Sequence, residues 1–457
     1  MRARTLVYVL VVAGLVAVGC RAAAPSVPLP PATPFAPEVM AEVHEVRDLA
    51  AQARGLEPAD NITEGTITRD QLKSYYDEVA DVAHESDSDG ELAVMNTALR
   101  LMQMLEPGED AIQEYTSDLG TDVIGFYSLE DDALVMVDDG GSDSSLDLYD
   151  GLALAHEYVH SFQDASFDFD RLGDLQEKEE EDRLNTEYSV TIDALMEGDA
   201  QAASIGYLGL SLGADAVDEW LDNGVAEASI QDDGSGSALD RMAIFPYSEG
   251  LRFVLYLWLK GGWEEVDKAY ADPPKTTEQI MHPDRYVAGD EPLGLKLQDL
   301  SDGLGDGWRQ TDDGVFGEFD VYNYIRTGTD DDLNARSVAD GWNGGRMAIY
   351  AYGSDSERVV LHLVLSWDND DEANEFYNAF QLHVQSLGDA QHAPLLWSSQ
   401  DMQTQRLLWD GESEHIYGWM EDRVFRAVFT VQQSDLEQAM SAVAPGVTRE
   451  AMLADIE

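Results

Sequence analysis

Cysteine is almost missing from this 457-residue chain: there is one, Cys20. A single cysteine excludes an intramolecular disulfide framework and any zinc site with two or more thiolate ligands. Lysine is nearly as scarce, with six residues, and all the cations number 27 against 90 Asp and Glu, a formal charge of −63. So negative a surface is repelled by phosphate backbones, which excludes sequence-independent binding of DNA or RNA. Long hydrophobic runs are missing too. The apolar stretch Leu6–Val18 has thirteen residues, short of the about 20 that a membrane-spanning helix needs. What is present suffices for a core: 44% of the residues are apolar and 9% aromatic, in a length that suits two or three domains at roughly 100–200 residues each. The acidic residues are spread along nearly the whole chain. This is the composition of a halophilic protein, because at molar salt, with a Debye length of about 3 Å, most of the self-repulsion is screened.

The first twenty residues combine a basic start (Arg2, Arg4), the apolar stretch and the small-residue sequence Ala17-Val18-Gly19-Cys20, the layout of a secretory signal. The segment resembles a prokaryotic lipoprotein signal, in which the cysteine becomes the lipidated first residue of the mature chain; position 17 departs from the usual leucine of that pattern. The resemblance implies a signal peptide over 1–20, lipidation of Cys20 and an extracytoplasmic protein anchored to the membrane; an ordinary signal peptide and a secreted protein are the alternative. Residues 21–37 hold six prolines and read as an extended tether.

Apolar residues recur at helical spacing over Glu38–Ala53, Thr68–His84 and Gly90–Leu105, so the region 38–120 is expected to be mainly helical. Residues Asp122–Val137 read as a β-hairpin around a short acidic turn. Helices are expected from about Leu146 to Ala165 and, after the charged stretch Glu177–Arg183, through about Tyr207. Phe253–Leu259 is uniformly apolar, which predicts a helix buried on several faces and closed by Gly261-Gly262. The Gly- and Asp-rich stretch 301–339 is read as holding a domain boundary near 332. Beyond it, strands are expected at Met347–Tyr352, Arg358–Trp367, Arg406–Trp409, His415–Met420 and Arg423–Val431, with helices at Asp371–Leu387 and Ser434–Val443. That makes 332–457 a small α+β domain behind a larger one over 38–331. His362, inside an apolar strand, reads as a packed residue and not as a ligand.

His156-Glu157-Tyr158-Val159-His160 is an HExxH sequence within a helical pattern. Histidines at i and i+4 project from one helix face about 6 Å apart, so both can ligate one Zn²⁺ while Glu157 reaches a water held there. Hydrolysis requires a third protein ligand and an open position. Asp193-Ala194-Leu195-Met196-Glu197-Gly198-Asp199-Ala200 offers carboxylates on a helix-forming segment; Glu197 is the expected ligand and Asp193, one turn earlier, the expected acceptor for a ligating histidine N–H. His282 and Tyr247 are candidate donors to a tetrahedral oxyanion.

Taken in order, VIGFYSLEDDALVMV, LAHEYVHSFQDASFD, ALMEGDA, PYSEGLRFV and GGWEEVDKAYADPPKTTEQIMHP resemble a group of secreted bacterial and archaeal zinc metallopeptidases of the gluzincin type, over roughly residues 120–290. The resemblance implies an α+β zincin-like domain in which His156, His160 and Glu197 bind zinc and Glu157 is the general base. It also implies that a strand edge of the hairpin receives a peptide or protein substrate in extended form. The expected protein is a monomeric, lipid-anchored zinc peptidase. An inactive zincin-fold lipoprotein serving as a binding or cell-envelope scaffold is the alternative.

Overall fold

The computed structural model describes residues 27–449 and 452, except 60, 130, 141–145, 168, 170, 174–186, 216, 218–235, 330–331, 392–394 and 402–403. The expected signal peptide, Cys20, the first part of the tether and the charged stretch Glu177–Arg183 therefore lie outside the described residues.

The end of the expected tether is built into the fold. Thr33–Pro34 form β1, paired antiparallel with β2 (Thr63–Thr68) in the register Pro34↔Gly65. Proline has no N–H to donate and is accommodated here because β1 lies at a sheet edge. Gly65 is required by the close approach, since a Cβ there would lie 2.5 Å from the carbonyl oxygen of Thr33. Helix α1 (Met40–Arg54) ends on Gly55, whose positive φ of 79° lets its N–H return to Ala51 O. Three further helices follow: α2 (Arg69–Ser86), started by a Thr68/Gln71 capping box, α3 (Glu91–Leu101), and α4 (Ala111–Asp122), capped by Asp110.

The expected hairpin is present as β3 (Gly125–Ser128) and β4 (Ala133–Asp138). The sheet order is β1-β2-β4-β3 with β2 and β4 parallel, so β3 is an edge. Alternation along the strands splits their side chains between two layers: Phe126, Ala133 and Val135 pack with Leu72 and Tyr76 of α2, whereas Tyr127, Leu134 and Met136 pack with the next helix. That helix, α5 (Leu148–Ser166), begins with an Asp147/Asp150 capping box.

Helix α6 (Tyr188–Leu212) is buried around most of its circumference, between α1, α5 and α7 (Ala238–Gly261). Its contact with α7 is backbone to backbone. A Cβ on Gly198 would lie 2.2 Å from Gly250 O, and one on Gly250 would lie 2.1 Å from Ala194 O. The apolar run Phe253–Leu259 differs from expectation: Phe253, Val254 and Leu257 are buried on one stripe, but Leu255, Trp258 and Leu259 are exposed, because α7 meets its neighbours along that stripe only. Gly262, with φ 71°, ends α7 as expected. Short helices α8 (Trp263–Ala271), α9 (Thr277–Met281), α10 (Pro283–Ala288) and α11 (Ser301–Leu304) lead to the second sheet.

That sheet has seven antiparallel strands: β5 (Trp308–Val315), β6 (Trp342–Tyr352), β7 (Asp355–Trp367), β8 (Leu395–Asp401), β9 (Thr404–Asp410), β10 (His415–Glu421) and β11 (Val424–Thr430). Their order is β5-β6-β7-β11-β10-β9-β8. Between them run α12 (Glu318–Thr327), α13 (Asp332–Ala339) and α14 (Asp370–Gln391), and α15 (Gln433–Val443) follows. Strand β5 precedes residue 332, where the boundary was placed, yet pairs with β6 beyond it. Its sequence WRQTDDGV has few apolar residues because an edge strand needs fewer, which made it read as linker. One continuous core joins Ala80, Leu195 and Phe253 of the helical part to Leu361, Phe425 and Phe429 of the sheet. The architecture is mixed α+β.

Candidate metal centre

Helix α5 carries His156 and His160 on one face, and α6, packed across it, brings Glu197 to the same point. His156 Nε2 lies 2.9 Å from Glu197 Oε2, His160 Nε2 lies 3.4 Å from that oxygen, and the two Nε2 atoms are 3.1 Å apart. Two ligand atoms at about 2.1 Å from a tetrahedral metal are about 3.4 Å from each other. One edge matches that length and the other two are shorter by up to about 0.5 Å, and the trio could hold a metal ion. All three side chains are largely shielded from water, 12%, 4% and 11% exposed in the order His156, His160, Glu197.

Glu157 sits beside this face and is buried. Burial raises its pKa above the usual carboxylate value; the Glu197 charge adds to this, while the two histidines and a hydrogen bond from the Tyr127 backbone oppose it. That bond places the edge strand β3 against Glu157, as does Gly125, where a Cβ would lie 3.4 Å from Glu157 Cγ. Glu197 is held well below the usual carboxylate range: burial alone would raise it, but His160 and His156 outweigh that. His160 is raised for the reciprocal reason, burial being outweighed first by Glu197.

Tyr247, from α7, stacks on His156 with ring centroids 6.2 Å apart and planes at 27°. Burial pushes its hydroxyl pKa well above 10, and the nearby carboxylates of Glu197, Glu157 and Asp193 push it further, so it stays protonated and able to donate. The structure thus assembles five of the expected residues: His156, Glu157, His160, Glu197 and Tyr247. Asp193 is buried one turn before Glu197; at His160 the partner of Nδ1 is Gln163 Oε1, at 2.9 Å. His282 is not in the cluster. Its Nε2 lies 2.8 Å from Glu318 Oε1 and 3.8 Å from Asp340 Oδ1, because it caps α9 beside the start of α12.

Sequence reasoning overlooked the residues behind the ligands. Gln163 Nε2 donates to Met196 O and to Asp199 Oδ2, each at 3.0 Å. Asp199 Oδ2 also accepts from Tyr270 OH at 2.8 Å, and Asp199 Oδ1 accepts from Arg54 Nε. Gln163 could have been found, since it follows His160 by three positions and shares its helix face. Arg54 lies 145 residues from Asp199 and leaves no local signal.

Residues 306–413 match the profile of a domain of unknown function (DUF8575). The match starts just before β5 and runs through β9, away from the HExxH helix. No curated protein and no solved structure matches the chain. Among the described residues no helix is long and apolar enough to cross a membrane.

Proposed function

We propose that this protein is a zinc-dependent peptidase of zincin-like fold, acting outside the cytoplasm of a halophile and anchored through Cys20. The reading is carried by the convergence of two imidazoles and a carboxylate within 3.4 Å of one another, with a buried glutamate alongside. Two nitrogens and one oxygen from three protein ligands, leaving a fourth position for water, are a hydrolytic zinc donor set. When bound there, Zn²⁺ supplies a Lewis acid and lowers the pKa of water.

The remaining work falls to the chain. Glu157, its pKa raised by burial, accepts the proton of the attacking water and passes it to the leaving amine. Tyr247, a protonated phenol stacked on His156, donates to the oxygen on which charge develops. The β3 edge, next to Glu157, offers main-chain groups to an extended peptide.

The test is Glu157→Gln in protein purified at molar salt. The wild type is expected to carry about one zinc and to cleave an unfolded protein, and the variant to keep the metal and lose cleavage by at least about 100-fold. Zinc binding by both proteins without cleavage of a broad peptide library would replace this reading with that of a zincin-fold scaffold.

A further inference from the structure

A metal-ligating histidine needs its second ring nitrogen held, so that the ring cannot rotate and the ligating lone pair stays aimed. At His160 that task falls to an amide, and the orientation of the amide is fixed. The Nε2 group of Gln163 faces two acceptors, Met196 O and Asp199 Oδ2, both at 3.0 Å. Its Oε1 must therefore face His160 Nδ1, at 2.9 Å, and Nδ1 must carry the hydrogen. Asp199 is in turn fully engaged: Oδ2 accepts from Gln163 and Tyr270, and Oδ1 from Arg54. Arg54 NH2 bonds Asp267 Oδ1 at 2.6 Å, and its guanidinium lies over Trp263, 4.5 Å from the ring centroid. Gln163, Asp199 and Arg54 are all at 0% exposure, so solvent cannot substitute for any of these bonds.

Resting on the zinc reading above, we propose that Gln163, Asp199 and Arg54 form a positioning relay that locks the ring of His160 with Nε2 toward the metal, and that α1 is thereby a working part of the centre. None of the three touches substrate; each acts through its neighbour. Removal of residues 40–54 would take Arg54 from a buried carboxylate.

The decisive measurements are zinc affinity, by competition with a chromophoric chelator at molar salt, and the ring N–H resonances of ¹⁵N-histidine-labelled metal-free protein. His160→Gln assigns the His160 signal. The wild type should show a protected, hydrogen-bonded Nδ1–H from His160. Gln163→Met should lose that resonance and bind zinc about 10–100-fold more weakly. Unchanged affinity and an unchanged His160 resonance in Gln163→Met would overturn the relay. If the variants do not fold, the wild-type spectrum decides, since a missing Nδ1–H from His160 contradicts the locked ring. A wild type that binds no zinc sinks the peptidase reading, and the same metal-free spectrum still decides the relay.

Discussion

Asp199 in α6 and His383 in α14 are equally hidden from water, at 0% and 3% exposure, and differ entirely in company. Asp199 receives hydrogen bonds from Arg54, Gln163 and Tyr270. His383 stacks near Tyr324, with centroids 4.3 Å apart, and neither ring nitrogen has a hydrogen-bond partner among the described residues. The same holds for His362 Nδ1, Trp409 Nε1 and Tyr417 OH in the sheet. Around Asp199 a buried ionised group is tolerated because it is paired; around His383 buried polar groups are tolerated because they stay neutral. Burial lowers the pKa of both His362 and His383 to about 4. The contrast separates a site organised around charge from one organised around packing, and DUF8575 matches over the second.

Three substitutions test that contrast. The largest effect is expected from Arg54→Met, which strands Asp199 without its cation. Breaking a buried pair on one side costs about 3–5 kcal/mol, readable as a lower urea midpoint at molar salt; a cost below about 1 kcal/mol would mean that Tyr270 and Gln163 alone satisfy Asp199.

Next is the acid response of the sheet. The folded-state pKa of His383 lies below its unfolded value of about 6.5, so between pH 6.5 and 4 the unfolded chain takes up a proton that the folded chain refuses. Its contribution to stability is complete above pH 6.5 and declines as pH drops toward 4, by about 3 kcal/mol at the end of that window. His383→Phe should remove that decline, and denaturation curves at pH 7 and pH 4.5 would show it. Glu187 and Glu278, raised to about 8 chiefly by burial, have the opposite sign: their contribution is present below pH 4.5 and is lost as pH rises through 8.

The smallest effect is expected from Arg309→Ala. Its NH1 reaches Glu91 Oε1 at 3.4 Å, between β5 and α3, with side chains 39% and 32% exposed. A partly exposed pair of this kind contributes at most about 1 kcal/mol. A larger loss would show that the two halves are joined by charge as well as by their common apolar core.

Legibility in the sequence followed the range of the interactions. Helix α5 and the pair His156 and His160 were readable because helical periodicity and an i, i+4 spacing are local. Strands β6, β7, β10 and β11 were readable because central strands are densely apolar, whereas β5, at the edge, was hidden among Asp and Gly. Glu197 was reachable because it follows His160 by only 37 residues and lies on a helix-forming segment. His282 had nothing behind it but its residue type, and its partner proved to be Glu318. Arg54 was out of reach because it meets Asp199 only through the packing of α1 on α6.

Gly198 and Gly250 give this centre a ruler made of main chain. With no side chain between α6 and α7 at that crossing, the span from Glu197 to Tyr247 is measured in backbone radii. Substitutions elsewhere along the two helices can then change how tightly they are held, and leave how far apart they stand unaltered. An enlarged residue at either glycine would act as a shim, lifting the phenol away from His156 while leaving every metal ligand in the sequence untouched.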